Sequence, residues 1–250
     1  MTISKLLVLT DGQQTGARSL IETVRIAVDA GARTVILREK HTSTADRRAL
    51  AGALRPLLHE VGGQLIVASL TTIESDGVHL AEDDPFPEER PAVVGRSCHD
   101  VHGVRRATME GCDYVTVSPI FSTASKPGYG PGLGLGGLRD LVDDFELGTD
   151  DAPAAPLRAD GRPMPIYALG GIDADMAGVC VRAGATGVAV MGAIMRAPDP
   201  GAVVHALRHA LKECDCGSLD VPTGRRRSDD TLDIAQALHR GTWQLGEVDR

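Results

Sequence analysis

Short apolar runs alternate with stretches of helical hydrophobic spacing along most of this chain. The runs are Lys5–Thr10, Thr34–Arg38, Gln64–Ser69, Gly77–Leu80, Ala92–Ser97, Asp113–Ser118, Pro165–Leu169 and Gly187–Met191. Each is short, rich in Val, Ile and Leu, and bounded by polar residues or Gly, the signature of a buried strand. Between them, apolar residues recur three and four apart over Arg18–Ala30, Ala45–Val61, Val101–Gly111, Leu138–Phe145, Ala174–Ala183 and Gly201–Lys212, which predicts helices. Strand–helix alternation implies parallel strands joined by helical crossovers, and eight such units close a barrel. The pattern therefore predicts an α/β protein, a single (β/α)8 TIM barrel over residues 1–212 with a C-terminal extension over 213–250. Two crossovers, Thr71–Asp76 and Asp83–Pro91, are too short for full helices.

Punctuation supports the same division. Gly31, Gly111 and Gly184 each stand where a helix ends and the next strand begins, a place for the left-handed cap conformation. Residues 148–162 are polar and rich in Pro and Ala, and are expected to be a flexible insertion before the seventh strand. From Glu213 the chain turns polar, with Arg225–Arg227 beside Asp229 and Asp230. Asp230 is placed to cap a short amphipathic helix, Thr231–His239. This tail is expected to be an appendage that docks on the barrel or on a neighbouring subunit, which leaves a homo-oligomer open.

Composition narrows the function. Aromatics make up 3% of the chain and the net charge is −8 without a basic stripe, which argues against nucleic-acid binding. The first apolar run is too short for a signal peptide and no run has transmembrane length, so no membrane role is expected. Cys98, Cys112, Cys180, Cys214 and Cys216 are an odd set with no framework spacing, which suits reduced thiols and a cytoplasmic location.

Active sites of such barrels lie at the carboxyl ends of the strands. There the second strand ends in Leu37-Arg38-Glu39-Lys40, offering two cations that could also pair with Glu39. The fourth leads into Glu82, Asp83 and Asp84, carboxylates suited to Mg²⁺. The fifth ends in Arg96-Ser97-Cys98-His99, where His99 is a proton-transfer candidate; His79 reads as a packed, hydrogen-bonded side chain. The sixth runs into a loop with Thr123, Ser125 and Lys126 among glycines and prolines, which are donors for phosphate oxygens. The seventh ends in Gly170-Gly171 and the eighth in Met191-Gly192, where barrels commonly hold phosphate on backbone N–H groups. The rim thus suits small phosphorylated substrates.

Taken together, these stretches resemble the thiamine-phosphate synthase/TenI family over about residues 5 to 212. The resemblance rests on Leu37-Arg38-Glu39-Lys40, Asp76-Gly77-Val78-His79-Leu80, Gly95-Arg96-Ser97 with His99, Asp113-Tyr114-Val115, and Pro119-Ile120-Phe121 with Thr123, Ser125 and Lys126. Ala168-Leu169-Gly170-Gly171-Ile172 and Gly187-Val188-Ala189-Val190-Met191 complete it. It implies a transferase of thiamine biosynthesis that joins hydroxymethylpyrimidine diphosphate to thiazole phosphate and releases diphosphate. By the same resemblance Arg38, Lys40 and Lys126 would bind the diphosphate, and Asp84 would ligate Mg²⁺. Ser97 would contact the pyrimidine or its diphosphate. Thr123 and Ser125, with backbone around Gly171, Met191 and Gly192, would hold the thiazole phosphate. Where the family synthase has Gln before the second-strand Arg and Asn-Asp after the third strand, this chain has Ile36 and Ala68-Ser69. The alternatives are a TenI-type thiazole tautomerase, whose shuttle His is matched here by Pro119, and a barrel that binds thiazole or thiamine phosphate without catalysis.

Overall fold

All eight apolar runs form strands, and the strands close on one another. In the computed structural model they are β1 (Leu6–Leu9), β2 (Thr34–Leu37), β3 (Gln64–Ala68), β4 (Gly77–Leu80), β5 (Val94–Cys98) and β6 (Tyr114–Val117). A small antiparallel hairpin follows, β7 (Gly148–Thr149) with β8 (Ala152–Pro153), and then β9 (Ile166–Leu169) and β10 (Gly187–Val190). The barrel strands pair in parallel in the closed order β1-β10-β9-β6-β5-β4-β3-β2. The hairpin lies in the stretch expected to be a flexible insertion. The structure describes residues 3–69, 72–122, 132–149, 152–153, 157–158 and 160–216. These belong to one compact unit, residues 1–217; a second unit, 218–250, and with it the expected helix Thr231–His239, lies outside the described residues.

The helices are α1 (Leu20–Asp29), α2 (Thr44–His59), α3 (Val101–Glu110), α4 (Gly134–Glu146), α5 (Ala174–Arg182), the single turn α6 (Gly192–Met195), and α7 (Pro200–Cys216). Side-chain caps start four of them: Ser19 accepts from Glu22 N, Ser43 from Asp46 N, Asp100 from Gly103 N and Asp173 from Met176 N. Gly31, Gly111 and Gly184 have φ of 103°, 86° and 107°, as expected of residues that stop a helix. α7 runs four residues past Lys212, through Cys214 and Cys216. The crossovers after β3 and β4 carry no helix among the described residues. No helix among the described residues is long and apolar enough to cross a membrane.

Strand alternation sorts the core into two layers. Leu7, Leu9, Ile36, Ile66, Tyr114, Tyr167 and Ala189 fill the barrel interior, whereas Leu6, Val8, Val35, Leu37, Leu65, Val67, Val115 and Val117 belong to the shell under the helices. Gly95 makes room for the interior aromatics: a Cβ there would run into the Tyr114 ring. That ring lies edge-on to Tyr167, with centroids 5.7 Å apart.

Two aspartates fasten the amino ends of neighbouring strands by the same device. Asp76, just before β4, accepts Leu65 N of β3 at 2.8 Å, and Asp113, just before β6, accepts Val94 N of β5 at 2.8 Å. Arg55 and His59 from α2 converge on Asp76 at 3.1 and 2.9 Å, while Arg90 and Arg158 converge on Asp113. Burial alone would raise the Asp76 pKa, yet the Leu65 N–H, His59 and Arg55 together hold it below the usual carboxylate value. Its contribution to stability is present above the unfolded carboxylate pKa and is lost as pH falls through the lower folded value. Asp76→Ala leaves the Leu65 N–H without its acceptor and is expected to cost about 2 kcal/mol. Urea unfolding at pH 7 checks this, and the difference from wild type should shrink as pH is lowered toward 3.

Candidate active site

The barrel mouth is built from the first residues past the strand ends. After β2, Arg38 donates its N–H to Thr10 Oγ1 at 2.9 Å, and Thr10 in turn donates to Glu39 Oε1 at 2.7 Å. Gly12 N also donates to the Glu39 carboxylate, at 3.0 Å. Glu39 is 7% exposed, so its charge is engaged inside the turn. It is a brace between the β1 and β2 ends. Arg38 is half-buried, with Nη1 reaching Met191 Sδ across the mouth at 3.8 Å; Lys40 is exposed two residues on. Nothing in the pattern of the sequence distinguishes Glu39 from a solvated acid, because its acceptors' partners come from another strand.

The wall formed by β4, β5 and β6 is polar. His79 Nδ1 meets Tyr114 Oη at 3.0 Å and its Nε2 meets Ser97 Oγ at 3.0 Å, with Thr116 Oγ1 at 3.4 Å. The His79 and Tyr114 rings stack, with centroids 5.5 Å apart. Burial, reinforced by the charges of Arg38 and Arg96, lowers the His79 pKa to about 4. It is therefore a neutral hydrogen-bonded side chain that orients Ser97, as expected of a packed histidine. His99 lies at the rim, its Nδ1 against the Ser118 carbonyl and its Nε2 3.5 Å from Glu82 Oε2.

The opposite side of the mouth is apolar. Ile36 is fully buried in the interior cluster, and Ala68, Leu169 and Met191 pack against that cluster. Ile36 and Ala68 thus fit their surroundings, where a Gln and an Asn would each need a hydrogen-bond partner. Ser69 is the one non-glycine residue with positive φ among the described residues, at 68°. That conformation is more favourable for Asn and Asp than for Ser.

The acidic loop after β4 is folded on itself. Asp84 Oδ2 accepts Ala81 N at 2.8 Å, and Arg96 Nη1 donates to the carbonyls of Ala81, Glu82 and Asp84 at 3.0, 2.9 and 2.8 Å. Arg106 of α3 also donates to the Glu82 carbonyl. Among the described residues no three His, Cys, Asp or Glu side chains converge as a closed metal centre. Mg²⁺ does not require one, since it is commonly held by one or two carboxylates with water and substrate phosphate. Asp84, with one carboxylate oxygen tied to the loop, suits that sparse kind of site.

At β9 and β10 the backbone itself lines the mouth. Gly171 has φ 65°, and a Cβ there would come within 2.7 Å of the Ser122 carbonyl oxygen. A Cβ on Gly192 would run into the Arg196 guanidinium. At Gly171 only glycine admits this close approach, whereas at Gly192 the Arg196 side chain would have to move aside. Thr123, Ser125 and Lys126 lie outside the described residues, but both flanks of their loop are tied to the mouth. Ile120 N and Phe121 N donate to the carbonyls of Leu169 and Gly170 at 2.9 and 3.0 Å, and Leu133 N and Gly134 N return to Pro119 and Ile120 at 2.9 and 2.8 Å. The Ser118–Pro119 peptide bond is cis.

Residues 6–194 match the family model described as thiamine monophosphate synthase. The chain is 35% identical over 215 residues to the thiamine-phosphate synthase of Roseiflexus sp. (strain RS-1), covering 82% of this chain and 83% of that one. It is 35% identical over 217 residues to the thiamine-phosphate synthase of Haloarcula marismortui, covering 82% and 95%. Among solved structures, the thiamine phosphate pyrophosphorylase from Pyrococcus furiosus superposes with a TM-score of 0.67 at 25% identity, over 84% of this chain and 96% of that one.

Because His79 is neutral in the fold and protonates near pH 6.5 when unfolded, the unfolded state binds the extra proton between about pH 6.5 and 4. Stability is therefore fully present above pH 6.5 and falls as pH drops toward 4, by about 1 kcal/mol per pH unit from this residue. His79→Gln should flatten that part of the profile. Urea unfolding across pH 4 to 8 measures it, and an unchanged slope in the variant would overturn the assignment.

Proposed function

The chain belongs to the thiamine monophosphate synthase family, and we propose that its barrel mouth joins hydroxymethylpyrimidine diphosphate to thiazole phosphate with release of diphosphate. It is a thiamine-phosphate synthase-like transferase. The bond between the pyrimidine methylene carbon and the diphosphate oxygen breaks, and its electron pair leaves with the diphosphate. The thiazole nitrogen then donates its lone pair to that carbon. No side chain needs to form a covalent bond, so the protein's work is charge neutralisation and alignment.

The observation that carries this reading is the pairing of rim cations with a neutral polar wall. Arg38 is held by the Thr10–Glu39 brace and extends across the mouth toward Met191, with Lys40 beside it. A polyanionic leaving group matches that concentration of positive charge on a chain whose overall charge is −8. In this reading Arg38, Lys40 and Lys126 bind the diphosphate. Ser97, oriented by His79, contacts the pyrimidine or its diphosphate. Thr123 and Ser125, with the backbone near Gly171, Met191 and Gly192, hold the thiazole phosphate. Mg²⁺, held at Asp84 and by the substrate, would add positive charge to the departing diphosphate. On the apolar side, Ala68, Leu169 and Met191, packed over the interior cluster that holds Ile36, support the rings by contact, where the family synthase uses amides.

Incubation with both substrates and Mg²⁺, followed by oxidation of thiamine phosphate to fluorescent thiochrome, tests the reaction. Wild type is expected to give product and Lys126→Ala to lose most of it; no product above that control would overturn the reading. Aromatisation of a thiazole precursor without condensation would point to tautomerase activity instead. A separate expectation concerns the metal. Ser69→Asp adds a carboxylate in a conformation that tolerates Asp better than Ser. It should tighten Mn²⁺ binding, measured by electron paramagnetic resonance, without lowering the thermal midpoint.

A further inference from the structure

Among the described residues, one of the largest fully buried side chains is a charged one, Arg96, only 1% exposed. Its neighbours Gly95 and Ser97 face the barrel interior, so Arg96 points outward into the layer where helices cover the strands. At this place the cover is incomplete. The crossover from β4 to β5 has no helix, and its carbonyls lack the regular partners that a helix would supply. Arg96 Nη1 fills that role, donating to Ala81, Glu82 and Asp84. Nη2 stands 2.7 Å from Glu110 Oε2 at the end of α3, a charge contact without the alignment of a hydrogen bond.

We infer that Arg96 is a positioning residue for the metal side of the active site. The inference rests on the synthase reading given above. Asp84 carries its carboxylate on a one-turn fold closed by two bonds, Asp84 Oδ2 to Ala81 N and Asp84 N to the Ala81 carbonyl at 3.3 Å. Arg96 grips the carbonyls at both ends of that turn, and Arg106 adds a second guanidinium at Glu82. The loop has no helix to hold its shape, so the direction of the Asp84 carboxylate depends on this clamp. Nη1 reaches the three carbonyls while Nη2 of the same planar group faces Glu110, two separated positions that a single ammonium on a shorter stem cannot occupy together. Arg96 also lies next to Ser97 on β5, so one strand presents Ser97 inward to the substrate and Arg96 outward to the loop that carries Asp84.

The test measures Mn²⁺ binding in the presence of inorganic diphosphate by electron paramagnetic resonance, which needs no turnover. Arg96→Lys keeps the charge facing Glu110 and is expected to weaken Mn²⁺ binding about tenfold or more, the usual cost of losing support behind a metal ligand. It should raise KM for the pyrimidine diphosphate while leaving KM for thiazole phosphate unchanged. Asp84→Asn should weaken Mn²⁺ similarly, and the double variant should show no further loss, because both changes disable one unit. Arg106→Gln, which removes only the Glu82 contact, should give a smaller loss in the same direction; it decides the matter if Arg96→Lys does not fold. Additive losses, an equal rise in both KM values, or wild-type Mn²⁺ affinity in folded Arg96→Lys would each overturn the inference. If wild type binds Mn²⁺ and diphosphate but forms no thiamine phosphate, the synthase reading fails while the positioning role stands.

Discussion

Closing eight strands of four or five residues into a ring creates an interior that one inward side chain per strand must fill at each level. That constraint governs both stability and chemistry here. Leu7, Ile36, Ile66, Tyr114, Tyr167 and Ala189 pack the middle of the barrel. The next inward position along several strands then emerges at the mouth, as Arg38, Ala68, Ser97, Thr116, Leu169 and Met191. The residues that line the mouth therefore sit directly on the residues that pack the core. Tyr114 does both jobs, filling the space that Gly95 vacates and meeting His79 with its hydroxyl.

The mouth that results is divided by strand, with a polar wall on β4, β5 and β6 and an apolar wall on β9, β10, β2 and β3. Positive charge stands within the apolar arc, where Arg38 at the end of β2 reaches past β1 toward Met191 at the end of β10. Such a division suits a heteroaromatic ring, which has a polar edge and apolar faces, bearing an anionic arm. Ile36 and Ala68, which stand where the family synthase has amide residues, match the apolar packing around them.

Support for the mouth comes from polar and charged side chains committed to internal partners. Glu39 is spent on Thr10 and Gly12, Arg96 on three loop carbonyls, and His79 on Tyr114 and Ser97. None of these three is free to pair with a ligand as its type would suggest. Each exchanges that freedom for a fixed neighbour, which is how short, irregular crossovers hold a defined shape without helices.

The strands and most helices were legible in the chain alone, since alternation and helical spacing are local patterns, and the glycines at 31, 111 and 184 mark boundaries through a local backbone requirement. The rim order of Arg38, Ser97, Gly171 and Met191 followed from the barrel once eight strands were counted. The turn α6 and the hairpin β7–β8 were not legible, because elements of two to four residues are too short to show a period. What each charged residue does was decided by tertiary structure. Glu39 and Arg96 look like solvated charges in the sequence, yet both are buried, because the groups that satisfy them lie on other strands and loops. Hydrophobic periodicity is written residue by residue along the chain, whereas a hydrogen-bond partner is defined only when distant segments meet.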